Sequence, residues 1–290
     1  MTLVLSGLVQ GIVLGTVLAL LTSGMTLIYR TSRIVNFAHG SLLALAMYAT
    51  YDLHQRFGLD ALWFPLVVAP SMFLLGLALY WGCIRPIRSA HHLAAIQLLL
   101  GLSIAIDALL LMRYGADLHT VDNAFSARFV TVLGTGYSLA NLVAFGVAVT
   151  ALTALAFALR FTAWGRRLRA VAQDELAAKL CGVSVLNVEA ITWALGIALL
   201  GAIAPLLGGI ITLTPDMGLR YTVLALVILI VGGTDSLVGT IVAGILIGVV
   251  QTLGLLLLPG SYGSLLPYVL LVVVLVFRPG GVSALLRRPA

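Results

Sequence analysis

Apolar residues in this chain fall in long unbroken runs instead of alternating or forming stripes. The runs are Leu3 to Tyr29, Ile34 to Tyr51, Ala61 to Ile84, Leu93 to Met112, Val130 to Leu159, Val188 to Leu213, Leu237 to Leu258 and Leu265 to Phe277. Runs of about twenty apolar residues predict membrane-spanning helices. A β-barrel would alternate polar and apolar positions, and these runs do not. A ninth run, Tyr221 to Val231, is short for a full crossing, so it reads as a span that borrows its flanks or as a half-helix. The pattern predicts an all-α polytopic transmembrane bundle of about 8–9 spans, forming a single domain over residues 1–290. In the first run Gly7, Gly11, Gly15, Ala19 and Ser23 recur at spacing four, a face of small residues that lets another helix approach closely.

The longest polar stretch is Arg160 to Ser184. Between Gly165 and Gly182, Leu168, Ala172, Leu176 and Leu180 recur every four residues beside Val171, and Glu175 precedes Lys179 by four. This predicts one short amphipathic helix, about residues 165–182, hung between two spans. It serves either as a basic loop that sets topology or as a docking helix for a soluble partner.

Composition sharpens the class. The chain is 61% hydrophobic and 9% charged, with a mean hydropathy of +1.15, whereas a soluble domain carries roughly 25% charged residues. The net charge of +6 is a matter of topology and not of nucleic-acid binding, because the positive residues cluster between spans. The loops at 30–33, 85–92 and 160–179 and the tail at 278–288 hold 12 Lys+Arg, against 4 elsewhere (Arg56, Arg113, Arg128, Arg220). The positive-inside rule makes the first set cytoplasmic, with the N-terminus outside and the C-terminus inside. Cys83 and Cys181 then lie near cytoplasmic span ends, where a disulfide is not expected.

Catalytic motifs are missing. There is no phosphate-binding loop, and no His/Cys cluster has metal-ligand spacing, His91-His92 included. Asp52 and Asp235 fall at opposite membrane faces, which excludes an aspartyl intramembrane protease. Polar residues inside spans carry more information. Asn36, His39 and Gly40 open the second run; they serve as helix-start chemistry, with Asn36 as an N-cap and His39 bonded to a neighbouring helix, or as a polar lining near a cytoplasmic gate. Asp107 lies about fifteen residues past His92, roughly 22 Å up the fourth span. It could pair with Arg113 or a neighbouring subunit, or hold a substrate amine. Gln97 is a lesser candidate in the same span.

Several stretches together resemble the LivH family, membrane subunits of ABC importers for branched-chain amino acids. They are Gly7-Leu8, Gly11, Ala19-Leu20, Gly24 and Leu27-Ile28-Tyr29 followed by Ile34-Val35-Asn36-Phe37-Ala38-His39-Gly40; Thr162, Gly165-Arg166, Arg169-Ala170, Asp174, Ala178, Leu180 and Gly182-Val183; Gly232-Gly233, Ser236 and Gly239; and Phe277-Arg278-Pro279 with Gly281. The resemblance implies half of a translocation pathway in the inner membrane, paired with a LivM-like permease subunit. Two cytoplasmic ABC ATPase subunits would hold the ATP and Mg, and a periplasmic binding protein would deliver the substrate. This chain itself would be neither an enzyme nor a cofactor carrier. The amphipathic segment becomes a coupling helix, with Arg169, Ala170, Asp174, Ala177, Ala178, Leu180 and Gly182 in or beside a groove on an ATPase. The sequence departs from the family at Arg30, where glycine is usual, at Leu176, where an EAAxxxG pattern has Glu, and at Asp235, where small residues are usual. Relatives also carry urea, short amides and aromatic carboxylates. An ion-coupled carrier or channel is the alternative of another class, and it would need membrane-embedded ligands such as Asp107.

Overall fold

The computed structural model describes residues 2–58, 60, 62–88, 92–121, 128–132, 135–278 and 280–283; His91 and the tail arginines Arg287 and Arg288 lie outside the described residues. In chain order the helices are α1 (Thr2–Ser32), α2 (His39–Phe57), α3 (Pro65–Leu79), α4 (Arg85–Ile87), α5 (His92–Tyr114), α6 (Leu139–Phe161), α7 (Ala163–Gln173), α8 (Glu175–Leu180), α9 (Val185–Gly208), α10 (Met217–Gly232), α11 (Leu237–Leu257) and α12 (Leu266–Phe277). A π-helical turn, Tyr80–Ile84, joins α3 to α4, and a 3₁₀ turn, Gly260–Leu265, leads into α12. Among the described residues, six helical stretches are long and apolar enough to cross a membrane: most of α1, Pro65–Ile87, most of α5, α6, α9 and α11. The protein is an all-α polytopic membrane bundle. α10 and α12 are shorter apolar helices; the sixteen residues of α10 rise about 24 Å, less than a hydrocarbon core of about 30 Å.

α1 is the central post, packed chiefly on α11 and α9. The small-residue face expected from sequence is its contact with α11. A Cβ at Gly15 would meet the backbone of Ile245 at 2.6 Å, and one at Gly248 would collide with the backbone of Gly15. On another side of α1, Gly24 and Gly196 of α9 approach so closely that a Cβ at Gly24 would collide with the Gly196 carbonyl. Without water to drive apolar surfaces together, such close backbone packing is what holds membrane helices. Hydroxyls buried on α1 are bonded within the bundle: Thr22 and Ser23 donate to carbonyls one turn back, and Thr26 meets Thr240 of α11 at 2.9 Å.

Three expectations change. First, the stretch before α6 is not helical from Val130: Phe129–Val132 (β1) and Thr135–Ser138 (β2) pair antiparallel, Phe129 opposite Ser138. Second, the amphipathic segment is two helices. Asp174 adopts an extended conformation (φ −152°, ψ 109°), and its carboxylate accepts from the Ala177 amide at 3.0 Å, capping α8. The apparent stripe fails for the same segment, because spacing four overshoots the 3.6-residue turn by about 40° per step. Leu168 and Val171 are buried, whereas Leu176 and Leu180 are 68% and 82% exposed.

Third, α2 does not start at the membrane face. His39 Nε2 lies 2.8 Å from the Leu21 carbonyl. Leu21 is eleven residues short of the end of α1, about 16 Å along its axis. Residues 33–38 therefore run back into the bundle without helix before α2 begins. Such backbone is tolerated at that depth because protein satisfies it. Asn36 Oδ1 accepts from the Ala38 amide at 3.1 Å, and the Thr222 hydroxyl meets both the Gly40 amide (2.8 Å) and the Phe37 carbonyl (3.3 Å). Asn36 is thus a turn former; Ala38 occupies the N-cap position, with no side-chain cap.

Candidate functional site

Two regions gather the polar residues. The first lies inside the bundle, where the N-terminal turns of α2 and α10 meet. Gly40 packs so tightly on Gly218 and Thr222 that a Cβ there would collide with the Gly218 carbonyl. Asn36, His39, Ser41 and Thr222 are buried at this level. Ser41 Oγ lies 2.8 Å from Ser103 Oγ of α5. One turn further along α5, Asp107 faces the first turn of α10, so that a Cβ on Gly218 would sit 2.6 Å from Asp107 Oδ1. That oxygen is buried and has no hydrogen-bond partner. The expected pairing of Asp107 with Arg113 is not formed; Arg113 is 2.5 Å from Asp52 of α2. A cavity of about 580 Å³ opens beside Asp107, lined by Ile104, Ala108, Leu111, Thr214, Pro215 and Asp216 among others. It offers an apolar wall and two carboxylates.

His39 bonds to the neighbouring α1, one of its two expected roles. A carbonyl only accepts, so Nε2 carries the proton, and Nδ1 is left as a buried acceptor without a partner. Gln97 stands apart. It is exposed on α5, ten residues below Asp107 and thus about 15 Å away along the helix.

The second region is the arginine-rich end. Thr162 caps α7 by accepting from the Gly165 amide at 3.1 Å. Gly182 follows α8 with φ +79°, the left-handed residue that ends it. Of the expected coupling residues, Asp174, Ala177, Leu180 and Gly182 are exposed, Arg169 and Ala170 are half-buried, and Ala178 is buried. Arg169 donates to the Leu159 carbonyl of α6. A chain of ion pairs ties α8 to the spans. Lys179 Nζ lies 2.5 Å from Glu175 Oε1, which also accepts from Arg88 Nη2 at 2.7 Å. The same Arg88 nitrogen donates to Glu189 of α9 at 2.9 Å. Glu189 is 2% exposed, and its other oxygen accepts from the Tyr80 hydroxyl in the π-helical turn at 2.8 Å. Lys179 first, and Arg88 with it, holds the Glu175 carboxyl below its ordinary range. π-helical turns gather at functional sites, and this one aims Tyr80 at the buried acid.

Sequence reasoning missed Arg88, Glu189 and Tyr80 as a group. One signal was available: Glu189 is the single charged residue between Val185 and Gly208, and an acid within a span marks function or a buried pair. Among the described residues no group of three His, Cys, Asp or Glu is placed to hold a metal ion.

The family described as branched-chain amino acid transport system, permease component, matches residues 7–275. The chain belongs to that family. Curated relatives agree along almost the full permease. The branched-chain amino acid transport system permease protein LivH of Salmonella typhimurium is 27% identical over 290 residues, 94% of this chain and 93% of its own. LivH of Escherichia coli K12 is likewise 27% identical, over 94% of this chain and 93% of its own. BraD of Pseudomonas aeruginosa is 26% identical over 96% and 95%. No solved structure matches the permease. Family and fold together make the chain a multi-pass membrane transporter subunit, and the resemblance seen in the motifs around Asn36–Gly40 and Gly165–Gly182 is that of its family.

Proposed function

We propose that this permease forms half of the translocation pathway of an ATP-binding cassette importer for branched-chain and other hydrophobic amino acids. Its other half would be a LivM-like permease. Two cytoplasmic ATPases carrying ATP and Mg would drive it, and a periplasmic binding protein would load it. The N-terminus lies outside and the C-terminus inside, so that the arginine-rich end faces the ATPases.

One observation carries the reading. α7 and α8 form a short helical unit outside the bundle that presents Leu176 and Leu180 to the exterior, while Arg88 locks its inner side to Glu189 of a long span. A partner that moves α8 therefore moves α9. Ala178 points inward and is a packing residue of this unit. The substrate reading rests on the cavity beside Asp107, open on the Ile104 and Leu111 side: Asp107 would receive the ammonium, and Ile104, Leu111 and Pro215 the aliphatic side chain. A carboxylate without an amine would be repelled there.

The test is reconstitution in liposomes with the neighbouring gene products, followed by uptake of labelled leucine, urea and benzoate. Leucine uptake that requires ATP and the binding protein, and falls when Leu176 and Leu180 are both replaced by Asp, is expected. Leucine uptake driven by an ion gradient without ATP would overturn it.

A further inference from the structure

A cavity of about 290 Å³ opens at the arginine-rich end, on the α1 side of α7 and away from the ion pairs of α8. Arg30 and Arg33 come to it from the end of α1, Arg169, Ala172 and Gln173 from α7, and Asp235 from the turn between α10 and α11. Three guanidinium groups thus face one carboxylate. Arg33 takes that carboxylate, Nη1 to Asp235 Oδ1 at 2.6 Å, and its other nitrogen reaches the Ala172 carbonyl at 3.4 Å. It does so from a left-handed backbone, φ +55°, strained for a residue with a side chain. Arg169 is held by the Leu159 carbonyl. Arg30 is half-buried, and its side chain shares the Asp235 charge without a hydrogen bond of its own among the described residues. The C-terminal ends of α1 and α7 each add about half a negative charge, which leaves roughly one positive charge uncompensated. Three half-buried or exposed cations that share one carboxylate are a costly arrangement unless a further anion completes it.

We propose that this cavity is a binding site for a phosphate-class oxyanion, with Arg30 and Arg169 as donors and Asp235 as the resident competitor. A tetrahedral oxyanion suits guanidinium groups that converge from several chain segments, because each can present parallel donors to a pair of oxygens. The anion is either free phosphate or the phosphate of an anionic phospholipid headgroup at the membrane face. Bound there, it ties α7 to α1 and to the α10–α11 turn and stiffens the base of the α7–α8 unit. The site stands independently of the transport reading.

The experiment follows the thermal midpoint of the purified full-length permease in zwitterionic detergent. Inorganic phosphate is titrated against chloride at matched ionic strength. In parallel, nanodiscs of phosphatidylcholine are compared with nanodiscs containing phosphatidylglycerol. A saturable rise with phosphate identifies free phosphate as a ligand, and a rise with phosphatidylglycerol alone identifies the headgroup. Arg30→Gln is expected to weaken the effective ligand by about tenfold, the worth of one charge-assisted hydrogen bond. Asp235→Asn removes the competitor and is expected to tighten it. A generally damaging substitution would not produce these opposite signs. A midpoint that responds to neither anion beyond chloride, or two variants that shift the affinity alike or not at all, would overturn the proposal.

Discussion

The two ends of the permease's machinery are built from opposite materials. Inside the bundle, around Gly40, Gly218 and Gly24, backbones touch, the Ser41 and Thr222 hydroxyls are bonded, and Asp107 Oδ1, like His39 Nδ1, is left without a partner. At the arginine-rich end, α7 is seated by the buried side chains of Leu168 and Val171, and α8 is held by ion pairs that are partly wet, with Glu175 and Lys179 44% and 48% exposed. Close packing has few alternatives, since a shift of a few tenths of an ångström is a clash. Ion pairs in contact with water can be exchanged at little cost. The bundle is thus fitted to keep its shape, and α8 is the softer element.

The largest effect is expected where backbones touch. Gly24→Leu places a side chain where the Gly196 carbonyl stands, and backbone cannot step aside as a flexible side chain would. We expect a cost of more than about 3 kcal/mol and little folded protein by size-exclusion chromatography after detergent extraction. A monodisperse variant with an unchanged thermal midpoint would break the comparison at its firm end.

Next comes Arg88, the joint between the two materials. Arg88→Met leaves Glu189 buried without a cation. Because Arg88 is itself 25% exposed, the full penalty for breaking a buried pair is discounted to about 2–3 kcal/mol. In the double variant Arg88→Met with Glu189→Gln, the buried charge is gone and the Tyr80 hydroxyl keeps its acceptor. Most of the thermal stability should return, but ATP-dependent uptake should not, since α8 is no longer tied to α9. Uptake that recovers together with stability would show that the joint only packs.

These residues also mark where the sequence could be read and where it could not. The α1–α11 contact was legible because Gly7, Gly11 and Gly15 lie on one helix, and small-residue spacing is a local signal. The depth of His39 was not, because apolar residues continue from Ile34 and nothing local distinguishes a helix starting at the surface from one starting inside. Only the bonds to Leu21 and Thr222 fix it. The break at Asp174 was legible in principle, an Asp followed by an acidic first turn, but a run of leucines at spacing four masked it. Glu189 lies at the start of an apolar run, where a charge reads equally well as a loop residue, and the sequence does not show its partners Arg88 and Tyr80. The departures Arg30 and Asp235 were each seen alone, and the fold brings them into one cavity.

A smaller effect, on uptake and not on stability, is expected at Asp107. Asp107→Asn keeps the shape and removes a charge that no described cation neutralises. The thermal midpoint should stay put or rise slightly, while leucine uptake falls about tenfold, the loss of one charge-assisted contact. Full uptake with the Asn variant would detach Asp107 from the substrate path and leave it as part of the interior packing.

The smallest effect tests how soft the α7–α8 unit is. The carboxyl of Glu175 is held below its ordinary range by Lys179 and then Arg88. A lowered carboxylate contributes stability above the unfolded value, about 4.3, and loses it as pH falls through the folded value. Amide exchange in α8 should therefore be flat from pH 8 down to about 5, after correction for intrinsic rates, and quicken only in more acidic solution. The gain at neutral pH is no more than about 0.5 kcal/mol, because the pair is exposed and one turn apart on a short helix. Glu175→Gln should remove the acid-dependent step and raise exchange in α8 at neutral pH about twofold, with α9 unaffected. If α9 loosened together with α8, the two materials would be mechanically one, and the contrast between a firm bundle and a soft α8 would not hold.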